Sequence, residues 1–297
     1  MKKVSFAELG GPDVLQLLDV EEPHAGPKQI RIAVRAAGVN PVDWRVREGQ
    51  MQKVSPIELP AGTGQDASGV VDEVGEGVGG IEVGDAVFGR GSSTYAENAV
   101  LSSWAIMPEG LSFEEAAGYP SVVETALRII REVGVERGQT LLVSGASGGV
   151  GSAVLQIACD RGIRVIATGG TVNQDYLRSL GAVATTYGDG WMDRVRQLGH
   201  VDAALDLAGS GVLRELVELT GDPGKVISIA DLSAPEFGVR FSGVGGSMPE
   251  ALAEAADLIV RKKLHIPVEK SYVLAEAAAA QFDSQAGHTR GRRVIVI

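Results

Sequence analysis

The sequence predicts an α/β protein of two domains, a small and mostly β barrel joined to a doubly wound parallel sheet. Three observations lead to this fold class. The chain has 297 residues, which is more than one compact hydrophobic core usually holds. Short strand patterns fill roughly the first 120 residues, and strand and helix patterns then alternate from residue 140 to residue 229. Closely spaced short strands are typical of small barrels, and alternating strands and helices are typical of parallel sheets.

The barrel is predicted from closely spaced strands. Residues 30–36 alternate apolar and polar side chains as a half-buried strand does, and residues 69–75 and 83–89 are further strands bordered by glycine. Residues 250–297 return to this style after an alanine-rich helix and end in an apolar strand. We therefore expect residues 1–120 and 250–297 to form one discontinuous domain.

The second domain, residues 121–249, is predicted from its alternation of strands and helices. Ser112 is followed by Glu114 and Glu115, a pattern that opens a helix with an acidic first turn, and a longer helix follows at 121–133. Alternating β and α segments place helices on both faces of a parallel sheet. The segments after residue 133 are strand 140–144, helix 150–161, strand 163–167, helix 173–180, strand 202–206, helix 210–219 and strand 224–229.

Composition and charge exclude several classes of protein. The net charge of −11 disfavours nucleic acids and anionic membrane surfaces as partners. Cys159 is the only cysteine, so an intrachain disulfide and a cysteine-rich zinc site are both excluded. The N-terminus lacks the apolar run of a signal peptide, and no apolar stretch is long enough for a membrane span. We expect a cytoplasmic protein with a small-molecule substrate.

A glycine-rich loop between a buried strand and a helix predicts a Rossmann domain. The loop is Gly145–Gly151, with Ala146, Gly148 and Gly151 at the three fingerprint positions. Backbone N–H groups at a helix N-terminus bind pyrophosphate, and glycine keeps side chains out of the way. In isolation the pattern also suits a plain turn, but its place between strand and helix favours a dinucleotide held by Ser147, Gly148, Gly149 and Val150.

The strand after the loop favours NADPH as the cofactor. NAD enzymes of this fold usually carry a carboxylate at the end of that strand to bind the ribose 2′-hydroxyl. Here Ile163–Ala167 leads into Thr168-Gly169-Gly170-Thr171, which has no carboxylate. A 2′-phosphate is therefore tolerated at this point. The candidate donors and neighbouring contacts are Thr168, Gly169, Asn173, Arg178 and Tyr187.

These features belong to a wider resemblance that runs nearly from end to end. The chain resembles a zinc-free medium-chain dehydrogenase/reductase of the quinone oxidoreductase branch that includes zeta-crystallin. The resemblance implies a GroES-like catalytic domain, a Rossmann NADPH-binding domain and a homodimer paired through the strand near Val239–Phe241. The segments that carry it are Ala37–Asp43, Gly64–Val71, Gly84–Gly89, Ser93–Glu97, Leu180–Ala182, Val201–Asp206 and Gly224–Ile229.

The resemblance also implies further site residues. It places Ala208, Ile229 and the loop Gly243–Ser247, with Gly245 and Gly246, at the cofactor, and it places Asn40 and Thr125 beside the nicotinamide. Asp43 is a third catalytic candidate, at the entrance with Trp44, and its alternative role is to cap a turn. Glu124 departs from the apolar residue common at its position. Its carboxylate either has a role in the active site or points outward from the helix, and we expect the outward orientation.

Metal-free chemistry follows from two substitutions. Zinc alcohol dehydrogenases of this superfamily carry a catalytic cysteine where this chain has Asn40 and a histidine where it has Gln65, and neither residue is a usual zinc ligand. Without a Lewis acid, we expect a substrate that accepts hydride readily, a quinone or an α,β-unsaturated carbonyl compound.

The identity of the substrate stays open. Many relatives carry a tyrosine where residues 48–53 have none. An alternative function is an enoyl-thioester or carbonyl reductase of a biosynthetic pathway, with Arg45, Arg47 and Lys53 at the cleft mouth, although solvated charge explains these three residues as well. A third is an NADPH-binding protein without turnover.

Overall fold

The computed structural model describes residues 1–53, 55–243 and 249–297. The predicted contacts of Gly245 and Gly246 lie outside these residues. The chain divides into two compact units. The barrel unit comprises residues 1–121, 248–260 and 266–297, and the nucleotide-type unit comprises residues 122–247 and 261–265.

The barrel unit is built on a sheet in the order β14-β15-β3-β5-β6-β7, in which β3 also pairs with β7. Its pairs are antiparallel except for β14 and β15. A smaller sheet has the order β2-β1-β4. The strands are β1 (Lys2–Phe6), β2 (Gln16–Asp19), β3 (Ile30–Val39), β4 (Ala61–Gly62), β5 (Asp66–Val74), β6 (Ala86–Ser92), β7 (Asn98–Ile106), β14 (Val268–Val273) and β15 (Arg292–Val296).

The C-terminal strand explains why this unit is discontinuous. β15 pairs with β3 in antiparallel register, with Val294 opposite Gly38. Val294 and Ile295 are fully buried, because their strand lies inside the sheet and not at its edge. The hydrophobic core of this sheet around β3, β5, β6 and β7 includes Ile30, Ile32, Val71, Val87 and Leu101. The mostly β barrel that the sequence predicts is confirmed.

The nucleotide-type unit contains a parallel sheet in the order β10-β9-β8-β11-β12-β13. The chain proceeds from β8 outward in one direction and from β11 outward in the other, so the order reverses between these two strands. In such sheets ligands bind at the carboxyl ends of the strands next to this reversal. The strands are β8 (Thr140–Ser144), β9 (Arg164–Gly169), β10 (Val183–Thr186), β11 (Ala203–Asp206), β12 (Val226–Ser228) and β13 (Arg240–Phe241).

The helices follow local sequence signals. α2 begins after Ser112, whose hydroxyl accepts the Glu115 N–H while the Glu115 carboxylate accepts the Ser112 N–H, as the sequence predicts. No helix in the described residues is long and apolar enough to cross a membrane. The helices are α1 (Pro41–Arg47), α2 (Phe113–Ala117), α3 (Pro120–Val133), α4 (Gly149–Asp160), α5 (Gln174–Ser179), α6 (Trp191–Leu198), α7 (Leu213–Thr220), α8 (Pro249–Val260) and α9 (Ala277–Gln285).

Two helices of the structure are absent from the prediction. α1 starts at Pro41, directly after a strand, and α6 follows Gly190, which has a φ of 69°. Each is eight residues or shorter, and only Asp43, Arg47 and Val195 are buried in them. Helices of this length carry too few apolar residues to establish a helical period.

The prediction assigns residues 261–265 to the barrel, whereas the structure groups them with the nucleotide-type unit. Polar contacts with α4 account for this difference. The Asp160 carboxylate pairs with Arg261 at 3.3 Å and with Lys263 at 3.5 Å. The Gln156 side chain forms hydrogen bonds with both the backbone N–H and the carbonyl of His265.

Candidate cofactor and active sites

The glycine-rich loop lies at the carboxyl end of β8, next to the reversal of strand order. Gly145 turns the chain with a φ of 79°, a conformation that side-chain-bearing residues rarely adopt. Gly148 is the N-cap of α4, and no described side chain caps this N-terminus. The Ser152 hydroxyl donates to the Gly148 carbonyl at 2.8 Å and lies 2.7 Å from the Tyr176 hydroxyl, which fixes the first turn of the helix.

The shape of the loop fits a pyrophosphate. A Cβ added to Gly151 would overlap the backbone of Ala146, so glycine is required for the helix to pack against the loop. A Cβ added to Gly148 would meet only the Gly145 carbonyl, at 3.9 Å, so this side of the loop is open. Together with the uncapped N–H groups, this open side provides what an anionic ligand needs.

Two buried polar residues shape the neighbouring strand ends. The Asp206 carboxylate, at the end of β11, accepts the N–H groups of Ala208 and Gly209 at 3.2 and 3.0 Å. It also accepts the Ser228 hydroxyl at 2.8 Å, and Ser228 precedes Ile229 on the next strand. Ala208 is exposed and lies beside Gly145, and Ile229 is half-buried and directly follows β12, so both predicted contact residues lie at the carboxyl ends of strands.

The end of β9 carries the residues expected at the 2′-phosphate. Thr168 is buried, and its hydroxyl donates to the Val143 carbonyl at 3.4 Å, so the side chain is directed into the sheet. Asn173 is half-buried at the end of a short 3₁₀ helix. Arg178 is exposed and ion-paired with Asp175 at 2.8 Å. Tyr187 is exposed, and its hydroxyl lies 3.3 Å from the position a Cβ of Gly170 would take.

Arg194 holds the loop that carries Tyr187. Its guanidinium donates to the carbonyls of Asp189, Thr186 and Tyr187 at 2.7, 3.0 and 3.4 Å. A long contact of 3.5 Å to the Gly188 carbonyl completes the set. Arg194 on α6 thus fixes the backbone from residue 186 to residue 189.

In the barrel unit, Asn40 lies at the junction between β3 and α1 and is 4% exposed. Its amide Nδ2 donates to the Asp66 Oδ2 at 2.9 Å, and its Oδ1 accepts from Arg292 at 2.9 Å. Asp66 and Arg292 are themselves buried and 3.6 Å apart. Asp66 also accepts the N–H and the hydroxyl of Ser121. The orientation of the Asn40 amide is therefore fixed on both sides.

Asp43 is enclosed beneath this network. Its Oδ2 accepts the Asn40 N–H and the Tyr95 hydroxyl, each at 2.8 Å, so it caps the first turn of α1. Burial raises the pKa of Asp43 to about 7, while the two hydrogen bonds oppose that rise. Burial and the neighbouring Asp43 carboxyl likewise raise the pKa of Tyr95. With 4% of its surface exposed, Asp43 acts as the turn cap.

The remaining site candidates differ in how far they are buried. Thr125 is half-buried on α3. The expectation that Glu124 points outward is wrong, because the residue is only 4% exposed. Arg47 is fully buried and donates a hydrogen bond to Gln281 at 2.8 Å. Both roles considered for it, a residue at the cleft mouth and a solvated surface charge, are therefore wrong. Arg45 lies 5.4 Å from the Trp44 ring, and Lys53 is exposed.

Sequence reasoning did not identify several residues of these sites. Tyr95 and Asp66 belong to segments that carry the family resemblance, but the contacts that give them a role come from tertiary structure. No sequence motif marks Arg292, Ser121 or Arg194, because each is a single charged or polar residue outside any recognisable pattern. Among the described residues, no group of three or more histidine, cysteine, aspartate or glutamate side chains is arranged to hold a metal ion.

Comparisons with known proteins agree with this geometry. Residues 26–120 match the family model of the alcohol dehydrogenase GroES-like domain, and residues 180–295 match that of zinc-binding dehydrogenases. A quinone oxidoreductase of Pseudomonas aeruginosa is 30% identical over 99% of each chain. A 2-methylene-furan-3-one reductase of Solanum lycopersicum is 33% identical over 81% of this chain and 65% of that protein. A mycobacterial protein solved in complex with NADPH is 29% identical over the full length of both chains, with a TM-score of 0.88.

The two units, the loop at the strand reversal and these matches define a medium-chain dehydrogenase/reductase. The predicted fold class, a GroES-like catalytic domain plus a Rossmann domain, is thereby confirmed. Within that superfamily, the chain belongs to the quinone oxidoreductase family.

Proposed function

We propose that this protein is an NADPH-dependent oxidoreductase that transfers hydride to a quinone or to the C=C bond of an α,β-unsaturated carbonyl compound. The observation that carries the proposal is the open, uncapped glycine loop at the strand reversal of the nucleotide-type unit. Relatives named as a quinone oxidoreductase and as an enone reductase support the substrate class, and the NADPH complex of a full-length structural relative supports the cofactor.

The residues of the nucleotide-type unit would hold the cofactor. Backbone groups of Ser147, Gly148, Gly149 and Val150 would bind the pyrophosphate, because their N–H groups are those of an uncapped helix N-terminus. The strand-end residues would surround the rest of the dinucleotide, and NADPH supplies the hydride when bound. These proposed contacts are Thr168, Gly169, Asn173, Tyr187, Ala208 and Ile229.

Asn40 and Thr125 are the proposed catalytic residues, and Asp43, the third candidate, is a proposed positioning residue. The Asn40 amide has one N–H beyond that accepted by Asp66. We assign this donor to the substrate oxygen that becomes negative on hydride transfer, where a fixed donor stabilises charge most effectively. Thr125, in the nucleotide-type unit, is proposed from the family resemblance alone, and Asp43 acts through the Asn40 backbone N–H that it accepts.

The proposal includes three further features. The reaction is metal-free, since Asn40 and Gln65 replace zinc ligands and Gln65 instead accepts a hydrogen bond from Arg90 at 3.0 Å. The protein forms a homodimer, since β13 is an edge strand of the parallel sheet within the described residues and edge strands are suited to pairing between subunits. A cytoplasmic location accords with a single, half-buried cysteine.

A substrate panel tests the proposal. Purified protein with NADPH is offered quinones, enones and enoyl thioesters, and consumption of NADPH is followed by absorbance. We expect turnover with quinones or enones and slower turnover with NADH. Turnover restricted to enoyl thioesters would instead establish the thioester reductase alternative. Heat protection by NADPH without turnover of any substrate would establish a binding protein and refute the proposed reaction.

A further inference from the structure

The Asp43 carboxyl is buried in an arrangement that suits its protonated form. Its two hydrogen bonds, from Asn40 and Tyr95, both end on Oδ2. The other oxygen, Oδ1, is enclosed and has no hydrogen-bond partner among the described residues. A negative charge on an enclosed oxygen without a donor is costly, whereas a neutral carboxyl can carry its proton there.

Arg292, the cation that acts on Asp43, is already paired with another carboxylate, Asp66. Asp66 on β5 and Arg292 on β15 form a buried pair, and Tyr95 contributes a neutral hydroxyl. Helix α9 packs on α1. The side chain that it contributes there is the neutral amide of Gln281, which accepts a hydrogen bond from Arg47 and brings no charge toward Asp43. Asp43 and Asp66 repel each other electrostatically, and Arg292 is the cation that opposes this repulsion.

Arg292 is also the residue that fixes Asn40. It donates to the Asn40 Oδ1 at 2.9 Å, and its own Nε is buried without a partner in the described part of the chain. An ionised Asp43 would attract this guanidinium away from Asn40. The Asn40 amide would then lose one of the two contacts that orient it.

We propose that Asp43 is a positioning residue whose proton keeps Asn40 in its active orientation, and that loss of this proton lowers activity through Arg292. This inference rests on the proposed function, because it assigns Asn40 to the reaction. Since burial raises the pKa of Asp43 to about 7, the transition falls near neutral pH.

The pH profile of kcat/KM for the full chain tests the inference. We expect the wild-type value to fall as pH rises through neutrality, with the slope of a single proton, about tenfold per pH unit at the limit. Asp43→Asn mimics the neutral carboxyl and should remove this fall. Tyr95→Phe removes a donor that stabilises the anion, so it should move the fall to higher pH.

A merely structural role for these residues gives a different result. Variants that are only less well folded would lose activity by the same factor at every pH. That outcome, or an unchanged alkaline fall in Asp43→Asn, would overturn the inference. Asp72→Asn is the matched control: this half-exposed carboxylate of the same unit binds Arg31, and its loss should leave the profile unchanged.

Carboxyl 13C NMR of aspartate-labelled protein without cofactor gives a readout independent of activity. One signal should titrate near neutrality, vanish in Asp43→Asn and share its midpoint with a shift of the Asn40 side-chain amide. If no quinone or enone is reduced but this titration is present, the proposed function fails while the coupling of Asp43 to Asn40 stands. Absence of any aspartate titrating above the ordinary range overturns the coupling.

Discussion

The glycine loop after β8 and the polar network around Asn40 are built on opposite principles. The loop offers backbone N–H groups, and all of its residues lie in one contiguous segment, Gly145–Gly151. The network consists of side chains from five separated segments, those of Asn40, Asp66, Tyr95, Ser121 and Arg292. A site made of backbone N–H groups tolerates substitutions whose side chains do not block those groups. A side-chain network depends on every charge it contains, because each is buried.

The largest effect is expected from removing the cation of the network. Arg292→Met leaves the buried Asp66 carboxylate without its partner and should lower the free energy of unfolding by about 3–5 kcal/mol. Denaturant unfolding measures this change. The control is Lys270→Met, which breaks an exposed pair with Asp283 and should cost no more than about 1 kcal/mol. Equal effects of the two variants would refute the contrast between network and surface.

Titration of the Asp43 carboxyl should also make the free energy of unfolding depend on pH. The pKa of Asp43 is raised from 3.8 to about 7 in the folded protein, so the folded state binds the proton more tightly than the unfolded state. Stability from this group is therefore fully present below pH 4 and declines as pH rises to 7, by on the order of 4 kcal/mol. Asp43→Asn should flatten this decline in unfolding experiments between pH 5 and 8. A slope identical to that of the wild type would contradict the assignment.

The loop should respond in binding more than in stability. Gly148→Val places a side chain in the open space of the loop and should weaken NADPH binding by roughly tenfold or more, equivalent to about 1.4 kcal/mol. Gly148 has a φ of −74°, so the substitution causes no backbone strain. Fluorescence titration measures the affinity, and thermal unfolding without cofactor is the control. Unaltered NADPH affinity would show that the loop is not the phosphate site.

The smallest effect concerns cofactor selectivity. Arg194→Gln should release the backbone that carries Tyr187 and reduce the preference for NADPH over NADH by about a few-fold, the value of a hydrogen bond or two. The ratio of the two KM values measures this preference. Arg196→Gln is the matched control on the same helix, because Arg196 contacts only exposed carboxylates in its described ion pairs. An equal change in both KM values would show that Arg194 has only a general structural role.

The two regions also differ in how far the sequence predicted them. The sequence predicts strand β8 with the bounds Thr140–Ser144 that the structure shows, and the loop and α4 follow where expected. Local backbone requirements set these features, so a contiguous segment contains the whole signal. The family resemblance predicts Asn40 as a site residue, but it does not predict Asp66 and Arg292 as its partners.

The sequence by itself determined the fold class, the glycine loop between β8 and α4, and the absence of a carboxylate after β9, because periodicity, glycine placement and residue type are local properties. Tertiary structure decided that β15 pairs with β3, that Glu124 is buried and that the Asp43 carboxyl accepts the Asn40 N–H. Arg292 is 252 residues from Asn40 in the chain and 2.9 Å from it in space. Charges paired over such separations are specified by the packing of whole strands, and no local pattern encodes them.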